Sequence, residues 1–144
     1  MIDIHTRVRH FVQKHGTRNP EKIAKELGII ILKKAFKNTM GFFKKELGHK
    51  FIVVNSNLNE TVQLLVIAHE LGHALLHANN HSAYMHEYTL FPRGKYEKEA
   101  NIFAAELLID EKEVDKYCIE NMSINQLSCL FGVPERLIMY KFFE

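Results

Sequence analysis

Val66-Ile67-Ala68-His69-Glu70-Leu71-Gly72-His73-Ala74-Leu75-Leu76-His77 carries two histidines four residues apart, with a glutamate directly after the first, inside an apolar run. Read as a helix turning about 100° per residue, the run places His69 and His73 about 40° apart on one face, one turn from each other. That placement lets two imidazoles bind one zinc ion, and Glu70 then stands within reach of a water on the same metal as a general base. The neighbours Leu64, Leu65, Val66, Ile67, Ala68, Leu71, Ala74, Leu75 and Leu76 make the helix apolar nearly all round, as a core helix is. Two imidazoles and a carboxylate in a core are costly unless something pairs with them. A metal ion resolves that cost; a chance triplet on a buried helix leaves it standing.

Composition narrows the setting. The chain has 144 residues, 47% of them hydrophobic and 25% charged, with a formal net charge of +2. This suffices for one domain with one real core, and the small charge excess gives no case for nucleic acid or membrane as the main partner. Cys118 and Cys129 form no Cys-x-x-Cys pair and no secreted disulfide framework. The opening Met1-Ile2-Asp3-Ile4-His5 lacks the basic-then-apolar order of a signal peptide, and no apolar run reaches the length of a membrane span. The expectation is a single cytoplasmic domain over residues 1–144. N-terminal helices and a small sheet occupy 1–59, the zinc helix, a loop and a second helix occupy 60–109, and C-terminal helices occupy 110–144.

Periodicity fills in the elements. Ile4, Val8, Phe11 and Val12 give a first helix from about Asp3 to His15, stopped by Gly16. Asn19-Pro20 opens a second, with Ile23, Ala24 and Leu27 on its apolar face and Gly28 at its end. Ile29–Leu32 and Phe51–Val54 read as strands, Met40–Lys45 as a weaker one, and Glu46–His49 as a hairpin turn. The zinc helix runs from about Glu60 to His77, capped by Asn57 or Asn59, and should pack on this sheet of about three strands. Punctuation by Asn79, Asn80, Ser82, Pro92 and Gly94 makes 78–94 a long connection, either an active-site loop or a surface loop. Tyr96–Leu108 is a second strongly apolar helix. Asp110 or its neighbour caps a polar helix to about Asn121, Ser123-Ile124-Asn125-Gln126 is a capping box for a short helix ending at Gly132, and Pro134 opens the last helix.

Catalytic zinc takes three protein ligands and leaves a position for water, so a third ligand is needed. His77 continues the four-residue spacing, but it lies about 12 Å from His69 along a straight helix, and zinc–nitrogen bonds are about 2 Å. It reads as a residue that supports the ligands or packs beside them. His81 and His86 in the connection are weaker ligand candidates. The better source is Tyr96-Glu97-Lys98-Glu99-Ala100-Asn101, a glutamate near the start of the next helix. Glu97 and Glu99 point about 200° apart, so only one can serve, and composition does not choose between them.

These residues resemble the ImmA/IrrE-type metallopeptidases, small relatives of the thermolysin-like gluzincins. His69-Glu-Leu-Gly-His-Ala-Leu-Leu-His77 and Glu97-Lys-Glu-Ala-Asn-Ile-Phe-Ala-Ala-Glu-Leu-Leu108 carry the resemblance, and Ile52-Val-Val-Asn55 and the Pro20–Gly28 helix add to it. The resemblance implies an α+β fold, a minimal gluzincin-like zinc peptidase, mostly helical, with a small three-stranded sheet packed on the His-Glu-x-x-His helix. It selects Glu97 as third ligand and places Asn101, four residues on, as support for a zinc-bound histidine. One departure is Asp110 after Leu108-Ile109, where the family often has a proline one residue on. Family members act on helix-turn-helix repressors of phages, integrating elements or stress responses, and cleavage turns genes on; the resemblance implies that class of substrate.

The expected chemistry is peptide hydrolysis with one zinc ion held by His69, His73 and Glu97, and Glu70 as general base. A second oxyanion donor is needed besides the metal; Tyr84, His81, His86 and Tyr88 are the candidates. A strand, Phe42 to Lys45, offers an edge for an extended substrate. Ile124 to Leu137 has some likeness to a helix-turn-helix, but only Arg136 and Lys141 supply basic charge, so it reads as a packing or docking element. The competing class is a non-catalytic zinc module that sequesters a repressor or serves a toxin–antitoxin system; a fourth protein ligand in place of water would mark it.

Overall fold

The computed structural model describes residues 3–77, 86–87 and 94–143, the pair 86–87 through its backbone alone. Helices α1 (Ile4–His15) and α2 (Pro20–Glu26) come first, followed by strands β1 (Ile30–Lys34), β2 (Thr39–Glu46) and β3 (His49–Asn55). Helix α3 (Glu60–Leu76), the short strand β4 (His86–Glu87), and helices α4 (Lys95–Leu108), α5 (Lys116–Asn121), α6 (Ile124–Phe131) and α7 (Glu135–Phe142) complete the order. The fold is the expected α+β arrangement, mostly helical, with the three expected strands and a two-residue fourth.

Local chemistry sets the boundaries. Asp3 caps α1 by accepting from the Thr6 backbone N–H, and Gly16 closes it with φ of 66°. Asn19 caps α2 by accepting from the N–H groups of Glu21 and Lys22. Ser123 and Gln126 form the reciprocal capping box that starts α6. The single polar helix expected between Asp110 and Asn121 is instead two pieces. A 3-10 turn over Glu111–Glu113 follows Asp110, which accepts from the Lys112 N–H, and α5 follows Asp115, which accepts from the Cys118 N–H. Each aspartate starts its own turn, because a short carboxylate competes for backbone donors that a continuous helix would use.

The sheet order is β1-β3-β2-β4. β1 runs parallel to β3 with Ile31 opposite Ile52, and β2 runs antiparallel to β3 with Phe43 opposite Ile52. The hairpin between them turns on Leu47 and Gly48, both at positive φ (50° and 80°), which matches the right-handed twist of the strands it joins. Alternation sends Phe43, Ile52 and Val54 inward, where they are buried with Ile67 and Leu71 of α3. The opposite face carries a groove lined by Leu32, Phe36, Phe42 and Phe51 together with Lys34 and Lys44. Gly41 sets how closely α3 lies on the sheet: a Cβ there would stand 2.6 Å from Val66 Cγ1 and 2.7 Å from the Val53 carbonyl oxygen.

Helix α4 belongs to two apolar clusters. Phe103, Ala104 and Leu107 join the sheet-side core with Ile4 and Val8 of α1, whereas Ala105 joins Leu65, Ile109, Leu127, Leu137 and Ile138 in the second. The C-terminal helices are therefore a packing element on the back of α3 and α4. Glu106 fastens the arrangement: one carboxylate oxygen accepts from Lys141 Nζ at 2.6 Å and lies 2.7 Å from His5 Nδ1. Among the described residues no helix is long and apolar enough to cross a membrane.

Asn55, at the end of β3, holds the connection from β1 to β2 in place. Its amide donates to the carbonyls of Phe36 (3.0 Å) and Thr39 (2.9 Å), and its Oδ1 accepts from the N–H groups of Phe36 (3.2 Å) and Asn57 (2.9 Å). Replacing Asn55 by Ala strands several of these backbone groups, and an unmet buried polar group costs about 1–3 kcal/mol. Urea denaturation of Asn55→Ala is expected to show a loss of about 2–3 kcal/mol, with Asn55→Asp failing to restore it because a carboxylate cannot donate.

Candidate metal centre

Helix α3 starts at Asn59, whose side chain accepts from the Val62 N–H, and every residue from Leu65 to Ala74 is buried. Burial on all sides follows from its place: the sheet lies on one side and α4 on another. The approach to α4 is close because Gly72 has no side chain. A Cβ there would lie 3.1 Å from Phe103 Cβ and 3.2 Å from Ala100 Cα. Ala100 and Ala104 keep the facing side of α4 equally small, both fully buried.

That approach brings the first turn of α4 against the histidines. Glu97 Oε2 lies 2.8 Å from His69 Nε2 and 3.1 Å from His73 Nε2. The two imidazoles stand nearly perpendicular, with ring centroids 4.9 Å apart. His69, His73 and Glu97 each offer one ligand atom, and these atoms all lie within 4.8 Å of one another. His73 is 0% and Glu97 3% exposed, so water cannot solvate the group as it would at the surface. Three tetrahedral ligand atoms at about 2.0–2.1 Å from one ion stand about 3.3 Å from each other. The two carboxylate-to-imidazole separations, 2.8 and 3.1 Å, fall a few tenths of an ångström short of that value, and the donor set of two imidazoles and a carboxylate is one that zinc accepts.

Other polar residues surround the three. Asn101 Oδ1 accepts from His69 Nδ1 at 2.7 Å. Glu70 is buried directly after His69 on the same helix. His77 is not among the converging atoms. It caps the C-terminus of α3, its ring is buried, and its Nδ1 faces His73 Nδ1 at 3.1 Å while its Nε2 faces Glu99 Oε1 at 2.9 Å. Burial holds the His77 imidazole below its usual range; the hydrogen bond with Glu99 opposes this, and His73 reinforces it.

The sequence left Glu97 and Glu99 open on spacing alone, and the geometry separates them: Glu97 meets the two motif histidines, and Glu99 meets His77. Of the oxyanion-donor candidates, His81, Tyr84 and Tyr88 lie outside the described residues, and His86 is described only as backbone in β4. Two features escaped the sequence reading. Gly72 received no role in it, although a glycine there, facing Ala100 and Ala104 of the second helix, is a signal of close helix approach. Glu99 was weighed only as a rival ligand, not as a partner for His77.

Residues 24–143 match the peptidase family described as the IrrE N-terminal-like domain. The chain belongs to this family. The matched span holds α3 and α4 and with them His69, Glu70, His73 and Glu97. The chain is similar to an uncharacterized immunity region protein 2 of Bacillus phage phi105, 38% identical over 135 residues that cover 93% of this chain and 85% of that protein. It is also similar to the metallopeptidase ImmA of Bacillus subtilis strain 168, 30% identical over 149 aligned positions that cover 98% of this chain and 88% of that one. The ImmA/IrrE resemblance drawn from the two motifs is thus a family membership that extends over most of the chain.

The close helix approach is testable by stability. A valine at Gly72 places methyl groups where Phe103 and Ala100 already stand, and overpacking of this kind costs about 1–3 kcal/mol. Gly72→Val should therefore lower the denaturation midpoint clearly. Gly72→Ala should change stability by less, because a gain of about 1 kcal/mol in helix propensity opposes the crowding.

Proposed function

We propose that the chain is a zinc-dependent endopeptidase of the gluzincin type that cleaves a helix-turn-helix repressor of a phage, mobile element or stress regulon and so relieves repression. One observation carries the reading: two imidazoles one helical turn apart and a carboxylate from a second helix converge as buried side chains. His69, His73 and Glu97 are the residues that would hold one zinc ion. Bound there, zinc would supply a Lewis acid to polarise a peptide carbonyl and to lower the pKa of a water towards about 7. Glu70 takes a proton from the attacking water and delivers it to the leaving amine. Asn101 holds His69 with Nδ1 protonated, which leaves the lone pair of the neutral imidazole on Nε2, the ligand nitrogen.

Several facts support the catalytic over the purely structural reading. A structural zinc takes four protein ligands, and among the described residues the group contains three. The names of the relatives, a metallopeptidase and a phage immunity region protein, fit a peptidase that acts on the control of a phage or mobile element. The edge of β2 suits an extended substrate: among the described residues β4 pairs with it at Thr39 and Gly41, which leaves Phe42 to Lys45 for a substrate segment. A repressor substrate would put the reaction in the cytoplasm.

The test is incubation of the zinc-loaded protein with the repressor encoded beside it, followed by mass measurement of the products. Cleavage at one or a few sites is expected. Glu70→Gln should reduce the rate at least a hundredfold, in the range typical of a lost general base, while zinc content stays at one per chain. Normal cutting by Glu70→Gln would refute the role given to Glu70. Derepression in cells that survives the loss of Glu70 would favour sequestration over cleavage.

A further inference from the structure

Glu99 touches neither Glu97 nor the two motif histidines in any described contact, yet it stands at the end of a chain of hydrogen bonds that leads to one of them. The chain runs Glu99 Oε1, His77 Nε2, His77 Nδ1, His73 Nδ1, with steps of 2.9 and 3.1 Å. His73 and His77 are buried and Glu99 is nearly so, with 18% of its side chain exposed. The Tyr96 ring lies against His77, centroids 4.6 Å apart, and limits how the imidazole turns.

We infer that Glu99 and His77 are positioning residues that fix His73 in the tautomer whose Nε2 is bare and so able to bind metal. The derivation follows from who can donate. An ionised carboxylate only accepts, so His77 must donate from Nε2. A neutral imidazole with its hydrogen on Nε2 has a bare Nδ1, so His77 accepts there, and His73 must donate from Nδ1. His73 is then left with a lone pair on Nε2, the nitrogen that faces Glu97 Oε2 at 3.1 Å; a lone pair and a carboxylate oxygen have no hydrogen to share, and a cation between them is what this pairing fits. Removing the Glu99 acceptor frees His77 to hold its hydrogen on Nδ1. His73 would then accept at Nδ1 and carry its own hydrogen on Nε2, where a metal would have to bind.

The same outcome is reached for His69 by a shorter route, since Asn101 accepts directly from its Nδ1. The two ligands are thus oriented by unlike partners. His69 leans on a neutral amide, and His73 leans on an imidazole backed by a full negative charge. A carboxylate behind an imidazole raises its basicity as a ligand, so His73 is the stronger donor of the pair. The sequence writes this relay as a third histidine four residues after the second and a second glutamate two residues after the first: His73-x-x-x-His77 and Glu97-x-Glu99.

The inference rests on the metal reading above, and the experiment separates the two. Zinc affinity is measured by competition with a chromogenic chelator for the wild type, Glu99→Ala, Glu99→Gln, His77→Phe and the exposed control Lys98→Ala. Wild type and Lys98→Ala should bind one zinc tightly. Glu99→Ala and His77→Phe should each weaken binding about 10–100-fold, the usual effect of losing the partner behind a ligand histidine. The Glu99→Ala/His77→Phe double variant should bind no worse than either single, because both break one chain. Glu99→Gln keeps an acceptor oxygen and should recover most of the affinity. Long-range nitrogen NMR of the zinc-loaded wild type should show His77 protonated on Nε2 and not on Nδ1, a readout that needs no variant to fold. Zinc affinity within threefold of wild type in Glu99→Ala, or His77 protonated on Nδ1 in the zinc-loaded wild type, would overturn the relay while leaving the metal site standing. A wild type that binds no zinc would overturn the metal reading and the relay with it.

Discussion

Two helices pass each other at a glycine, and the site exists because of it. Helix α3 offers Gly72 between His69 and His73, and helix α4 offers Ala100 and Ala104 against it. With no bulky side chain at the crossing, the first turn of α4 is drawn in until the Glu97 carboxylate lies 2.8 Å from one imidazole and 3.1 Å from the other. The rest of the fold serves this approach. The sheet supports α3 from one side, with Gly41 letting Val66 sit directly over β2. The C-terminal helices press on α3 and α4 at Leu65 and Ala105, and α1 closes over α4 through Ile4 and Val8.

Burying polar groups at such a crossing is expensive, and the structure answers each one with a partner. The back of His69 meets Asn101, the back of His73 meets His77, and His77 meets Glu99. Each pairing leaves the same nitrogen, Nε2, pointing to Glu97. Isolated ion pairs seldom stabilise a core, because desolvation cancels much of the attraction. The arrangement is better understood as a mould for a cation, with orientation supplied by neighbours that never touch it.

Much of this was legible in the sequence, for particular reasons. His69, Glu70 and His73 announce themselves because the spacing of a helix fixes their face before any tertiary contact forms. The α3 boundaries, the capping box at Ser123 and the hairpin at Leu47-Gly48 are likewise local. Glu97 was legible only as one of two choices, because its role depends on how α4 lies against α3, and that is set by Gly72, Ala100 and Phe103 acting across 24 or more residues. Family likeness chose Glu97 where spacing could not. The split of the 110–121 stretch was hidden because Asp110 and Asp115 both make good caps, and the sequence pattern does not show that both are used. Glu99 was hidden more deeply: its partner His77 lies at the end of α3, where the helical wheel no longer predicts direction.

The site draws on elements that leave the ribosome at different times. The two imidazoles come earlier in the chain than the carboxylate, and α4, besides packing on α3 and α1, shares a cluster with Ile109 and the C-terminal helices. Loosening that rear cluster would therefore reach the site from a distance: Leu127, Leu137 and Ile138 supply none of the three converging side chains, yet they help hold the helix that carries Glu97.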